Sequence, residues 1–126
     1  MKLFLLASAG GACGAGARHL VNVGIGRLLG TGFPWATLTV NVVGSFLMGV
    51  LIEALMLRLG GSAELRTFLG TGVLGGFTTF SAFSLDVSVL MSRGETGTAL
   101  LYVVGSVVVS ILVLYLGMAV ARGLLT

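Results

Sequence analysis

Charged residues divide this chain into four long apolar runs. No Asp, Glu, Lys or Arg falls between Lys2 and Arg18, Arg27 and Glu53, Arg66 and Asp86, or Glu95 and Arg122. A membrane-crossing helix needs about 20 predominantly apolar residues. The pattern predicts four spans over about 3–25, 34–57, 66–91 and 97–121. Arg18 and His19 fall near one end of the first span, where a long side chain can snorkel to the interface. The predicted connections, around 30–33, 59–63 and 92–96, leave no room for an extramembrane domain. The chain therefore reads as a single four-span membrane domain over residues 1–126.

Composition agrees with that reading. The 126 residues are 56% hydrophobic and only 9% charged, against roughly 25% charged in soluble domains. The start of the chain, with Lys2, an apolar run at 3–6 and Ala7-Ser8-Ala9, also has the outline of a cleavable signal. Cleavage would discard a ladder of glycines suited to helix packing, so the segment is read as a retained span. The single cysteine, Cys13, has no internal disulfide partner and is expected to be inert packing.

The net charge of +3 is spread along the chain, without the Lys/Arg cluster that marks a nucleic-acid surface. With four spans, Lys2, Arg58, Arg66 and Arg122 fall on one side, and Arg18, Arg27 and Arg93 on the other. This near balance gives the positive-inside rule little to act on. It leaves open a weakly biased single orientation or insertion both ways as an antiparallel pair. Small residues at four-residue spacing (Ala7, Gly11 and Ala15; Gly10 and Gly14; Gly26 and Gly30; Gly72 and Gly76; Ser106 and Ser110) point to closely packed helices and, by extension, to a homodimer.

Polar residues inside the runs fall on faces. Thr37, Asn41 and Ser45 share a face of the second span, and Tyr102, Ser106 and Ser110 share one of the fourth. Either face could serve as interhelical glue or as the lining of a hydrated path. The third run is unusual. Residues 70–84, GTGVLGGFTTFSAFS, crowd glycines, hydroxyls and phenylalanines into a segment that lipid alone would fill with Leu and Val. Glycine permits departures from helical backbone. Broken backbone at membrane depth is tolerated where it lines a cavity or holds an ion. Phe80 and Phe83, three residues apart, either pack apolarly or turn their electropositive ring edges toward an anion. Asp86 and Glu53 lie toward span ends. No nucleophile–base pair, metal-ligand cluster or phosphate loop is present, so an enzyme is not expected.

Taken together, Gly10-Gly11-x-x-Gly14-Ala15-x-x-Arg18, Asn41-x-x-Gly44-Ser45-Phe46-x-x-Gly49 and Gly72-x-x-Gly75-Gly76-Phe77-Thr78-Thr79-Phe80-Ser81-x-Phe83-Ser84 resemble the bacterial Fluc/CrcB fluoride channels along essentially the whole chain. The resemblance implies an all-α membrane protein of the bacterial cytoplasmic (inner) membrane. Its subunit would have four transmembrane helices with the third broken, and would pair as an antiparallel, dual-topology homodimer. It implies a passive, fluoride-selective channel that exports cytoplasmic fluoride through two pores and so confers fluoride resistance. No partner beyond the second copy, the fluoride ion and the lipid bilayer is implied. A structural sodium ion at the dimer centre would be held by the backbone carbonyls of Gly75 and Thr78. The pore would be lined by Asn41, Phe80 and Phe83, with Thr37, Ser45, Tyr102, Ser106 and Ser110 along it and Arg18 at its vestibule. Two positions depart from the usual pattern: Ala82 where relatives often have threonine, and Asp86 where they often have glutamate. A proton-coupled exporter of cationic drugs would need a carboxylate in mid-span. A purely structural subunit would explain the glycines but not the Phe-Thr-Thr-Phe-Ser segment.

Overall fold

The computed structural model describes all 126 residues and is all-helical. Helix α1 covers Lys2–Leu29 and α2 covers Trp35–Leu57. The next helix, α3 (residues 63–77), is compound. It opens with an α-helical turn at Ala63–Leu65, continues as a π-helix over Arg66–Leu74, and closes with an α-helical turn at Gly75–Phe77. After two extended residues come α4 (Phe80–Ser92) and α5 (Thr96–Leu125).

Local chemistry sets these bounds. Pro34 stands immediately before α2, where its missing N–H costs nothing and its ring stops backward extension. Between α2 and α3 the chain reverses through Gly60 and Gly61, at φ 65° and 68°, a region glycine enters without a Cβ clash. Ser62 then caps α3, its Oγ accepting from Leu65 N at 3.2 Å.

Trp35–Leu57, Ala63–Ser92 and Thr96–Leu125 are long and apolar enough to cross a membrane. Helix α1, at 28 residues, has the length, but its many glycines, Arg18 and His19 dilute its hydropathy. The helices also overrun the bounds expected from charge spacing: α1 continues to Leu29 rather than 25, and α5 to Leu125 rather than 121.

Two helix pairs form the scaffold: α2 lies along α5, and α1 along α3. Backbone meets backbone at both crossings. A Cβ on Gly14 would strike the Val73 carbonyl, and one on Gly76 would come within 2.6 Å of Gly11 O. A Cβ on Gly49 would strike Leu114 O, and one on Gly117 would strike Phe46 O. The glycines at 10, 14, 72 and 76 are therefore used inside the subunit, which corrects their reading as support for a dimer. Nor do those in α3 break the helix, since none of them has a positive φ.

Only 19 of the 126 residues are buried, so most apolar side chains face outward, as in a protein solvated by lipid. One small core joins Phe83 and Leu90 of α4 to Ala99 and Tyr102 of α5. Another joins Leu51 and Leu55 of α2 to Leu74 of α3. Helix α4 touches the rest of the chain sparingly, mainly through α5.

Candidate functional site

The site is built around the interruption between α3 and α4. Thr78 (φ −80°, ψ 159°) and Thr79 (φ −154°, ψ 119°) are extended. Asn41, from the middle of α2, grips this point with both ends of its amide. Thr79 N donates to Asn41 Oδ1 at 2.8 Å, and Asn41 Nδ2 donates to Thr79 O at 3.1 Å. Thr79 Oγ1 in turn accepts from Ala82 N at 3.1 Å and so caps α4. Thr78 Oγ1 folds back to donate to Leu74 O at 3.0 Å. Gly44 makes room for this turn, since a Cβ there would strike the Thr78 methyl group.

These bonds have a consequence for the carbonyls. In a continuous helix Thr79 N would donate to Gly75 O, and Ala82 N to Thr78 O. Both donors are diverted, to Asn41 and to the Thr79 hydroxyl, so Gly75 O and Thr78 O receive no backbone hydrogen bond. Of the two carbonyls between them, Gly76 O accepts from Arg18 Nε at 3.1 Å, and Phe77 O receives no hydrogen bond. No three His, Cys, Asp or Glu side chains come together anywhere in the chain. A cation at the interruption would therefore be bound by backbone oxygens, the ligand type that hard cations prefer.

Beside the interruption runs a groove of about 240 Å³. It gathers Asn41 and Ser45 from α2, Phe80 and Phe83 from α4, and Ser106 and Ser110 from α5, with Thr78 and Thr79 at its side. The two phenyl rings stand 5.5 Å apart, tilted by 54°. Phe80 is 76% exposed, whereas Phe83 is buried against Tyr102 with ring centroids 5.0 Å apart. Ser106 Oγ is buried and has no hydrogen-bond partner. The groove presents hydroxyl and amide donors and ring edges, with no formal charge among its lining residues.

Other residues singled out from sequence lie elsewhere. Thr37 is buried outside the groove. Tyr102 lies behind Phe83, its hydroxyl donating to Asp86 Oδ2 at 2.9 Å. Asp86 is thus half-buried and engaged rather than simply solvated. Arg18 is not at a helix end, because α1 continues past it to Leu29. Cys13 is exposed rather than packed.

Some features escaped sequence reasoning altogether. Thr79 as the hub of the Asn41 clamp is one, although an isolated mid-span asparagine was a signal that some backbone needed satisfying. Another is Glu53, which is 4% exposed and paired with Arg122 from the far end of α5. That pairing compensates the most buried carboxylate of the chain and removes it as a free cation-binding group.

The fold and the groove define a small multi-pass membrane protein with an interrupted helix beside an uncharged, donor-lined groove. Residues 5–118 match the family described as CrcB-like protein, Camphor Resistance (CrcB). The fluoride-specific ion channel FluC of Chelativorans sp. (strain BNC1) is 57% identical over 125 residues, covering 99% of this chain and 100% of the relative. That of Mesorhizobium japonicum is 52% identical, covering 95% of this chain and 96% of the relative. That of Rhodospirillum centenum is 53% identical, covering 97% of each. The chain belongs to the CrcB family, which is a family of ion channels and not of enzymes.

Proposed function

We propose that this chain is the subunit of a passive, fluoride-selective channel that releases cytoplasmic fluoride across the bacterial inner membrane. The observation that carries this reading is the groove. Six residues from three separated segments (Asn41, Ser45, Phe80, Phe83, Ser106 and Ser110) meet there, in a chain 57% identical to a protein named as a fluoride-specific channel. A small, strongly hydrated anion needs hydrogen-bond donors to replace its water, and it must not be held by a fixed charge. The free hydroxyl of Ser106 and the amide of Asn41 provide donors. The edges of Phe80 and Phe83 offer a weak positive field that cannot trap the ion.

The same reading includes an antiparallel homodimer with two such grooves. Outward-facing Phe80 and the sparse packing of α4 support it, since both leave a surface for a second copy. It also includes a structural sodium ion. The chain fits one, because Gly75 O and Thr78 O are among the carbonyls that lose their helical donors at the interruption, with Phe77 O, and find no other protein donor. Together with their counterparts in a second copy they would hold the ion, which would add positive potential near the anion path.

Fluoride efflux from liposomes containing the purified protein, followed with a fluoride electrode beside a chloride control, tests the proposal. Rapid fluoride loss with chloride retained is the expected result. Equal release of both ions, or of neither, from correctly inserted protein would overturn it.

A further inference from the structure

A second groove, of about 460 Å³, runs along the outer side of α2 and α5, apart from the hydroxyl-lined one. Phe33, Trp35, Leu38, Val42, Leu101 and Val109 line it, and its wall at Ser106 is shared with the first groove. It spans about eight residues of α5, from Leu101 to Val109, or about 12 Å along the helix axis. That suits an extended hydrocarbon chain lying parallel to the helices.

The mouth of the groove carries charge. Phe33 and Trp35, with ring centroids 4.6 Å apart and planes tilted by 53°, mark the end where the chain leaves the apolar region. Immediately before Phe33, the carbonyl of Gly32 accepts from Arg93 Nη1 at 3.2 Å. This fixes the guanidinium beside the mouth and leaves its remaining N–H donors free. Arg27, in the last turn of α1, and Glu95 also lie at this end, and Asp86 lies farther in on Tyr102, so the formal charges there balance and Arg93 is the cation held at the mouth. An apolar furrow with an anchored arginine at its interfacial end matches an amphiphile with an anionic head. Basic pockets between membrane helices bind phospholipid headgroups in this way.

We propose that this groove is a binding site for one acyl chain of an anionic phospholipid, with the lipid phosphate held by Arg93. The bound chain would back the Ser106 wall of the anion groove and keep water from entering it sideways.

Trp35 is the only tryptophan and lines the groove, so the protein's tryptophan fluorescence reports on lipid at that place. The full-length protein is reconstituted with brominated phosphatidylglycerol or brominated phosphatidylcholine at equal mole fractions, and quenching of Trp35 is compared. One arginine near the surface contributes about a fivefold preference for an anionic lipid. Quenching should therefore favour phosphatidylglycerol by about fivefold, and Arg93→Gln should abolish the preference. Gly105→Leu should lower quenching by both lipids, because a Cβ at Gly105 meets nothing within 4 Å and the new side chain would fill the groove. Equal quenching by the two lipids in the unmodified protein would reduce the groove to ordinary lipid contact and overturn the proposal. A preference that survives Arg93→Gln would also overturn it. So would the absence of quenching by either lipid, which would mean that a second copy covers the groove. The readout needs no ion flux, so its failure is separate from failure of the channel reading.

Discussion

The two helix crossings and the interrupted helix use small or polar residues in opposite ways. At the crossings, glycines let whole backbones touch, and nothing polar is left over. At the interruption, side chains replace only some of the backbone's own bonds, and the carbonyls of Gly75, Phe77 and Thr78, with the nearby hydroxyl of Ser106, are left without partners. The first region spends its small residues on rigidity. The second holds its free polar atoms in place because that rigid frame surrounds it. Asn41 joins the two, sitting on the helix that α5 locks through Gly49 and Gly117 while gripping Thr79. In such a design, changes at the crossings should destroy the fold, and changes in the groove should alter conduction with the fold intact.

The largest expected effect is at a crossing. Gly14→Ala drives a methyl into Val73 O and brings it within 2.8 Å of Phe77 N. Backbone cannot yield there as a flexible side chain would, so the cost should be about 3 kcal/mol or more. Recovery of a monodisperse species in detergent should collapse. Gly16→Ala, two residues away on the same helix, meets nothing within 4 Å and should behave as the unmodified protein. If the two variants express and melt alike, the crossing is not the lock described here.

Next comes the join between the regions. Asn41→Ala leaves Thr79 N–H and C=O unpaired, at a cost of about 1–3 kcal/mol. The Thr79 amide should then exchange with deuterium faster, while exchange over α2 and α5 stays slow. A uniform loss of protection would mean that Asn41 holds the bundle together rather than the interruption. Because Asn41 has this structural duty, lost flux in the variant is weaker evidence for a pore role than the same loss at Phe80.

Phe80→Ile separates the two cleanly. Phe80 is 76% exposed in the subunit, so the subunit's own helix packing should survive the change. Removing the ring edge should slow fluoride efflux by about tenfold, equivalent to about 1.4 kcal/mol of barrier. Unchanged efflux would confine the ring to contact with lipid or a second copy.

What could be read from the sequence follows from which interactions are periodic. The charge-free runs outline the helices because hydrocarbon excludes charge whatever the tertiary contacts. The four-residue spacing of Asn41 with Ser45, and of Ser106 with Ser110, marks single faces, and those residues do line one groove. Thr37 and Tyr102 share the same spacing but not the groove. A four-residue step turns a helix by 40° more than one full revolution, so a face drifts along its length. The π-helix at Arg66–Leu74 left no periodic trace. The glycine-rich segment was legible as special, but the interruption fell at Thr78 and Thr79, where side chains could replace some of the lost backbone bonds. The partners of Arg18, Asp86 and Glu53 lie 58, 16 and 69 residues away, and spacing along one helix carries no information about them.

The smallest effect is the most discriminating because its two parts differ in sign. Ser106 Oγ is buried without a partner, which costs the folded state about 1–3 kcal/mol. A hydroxyl serving only as glue would have found an acceptor on a neighbouring helix. Ser106→Ala removes the penalty and should stabilise the protein by about 1 kcal/mol. If the free hydroxyl is there to meet a passing anion, the same change should slow fluoride efflux by about fivefold, the rate equivalent of 1 kcal/mol. Thermal midpoint and liposome efflux measured on one preparation give both signs at once. A variant that is less stable and equally fast would assign Ser106 to helix packing, and the groove would lose the donor on which its chemistry most depends.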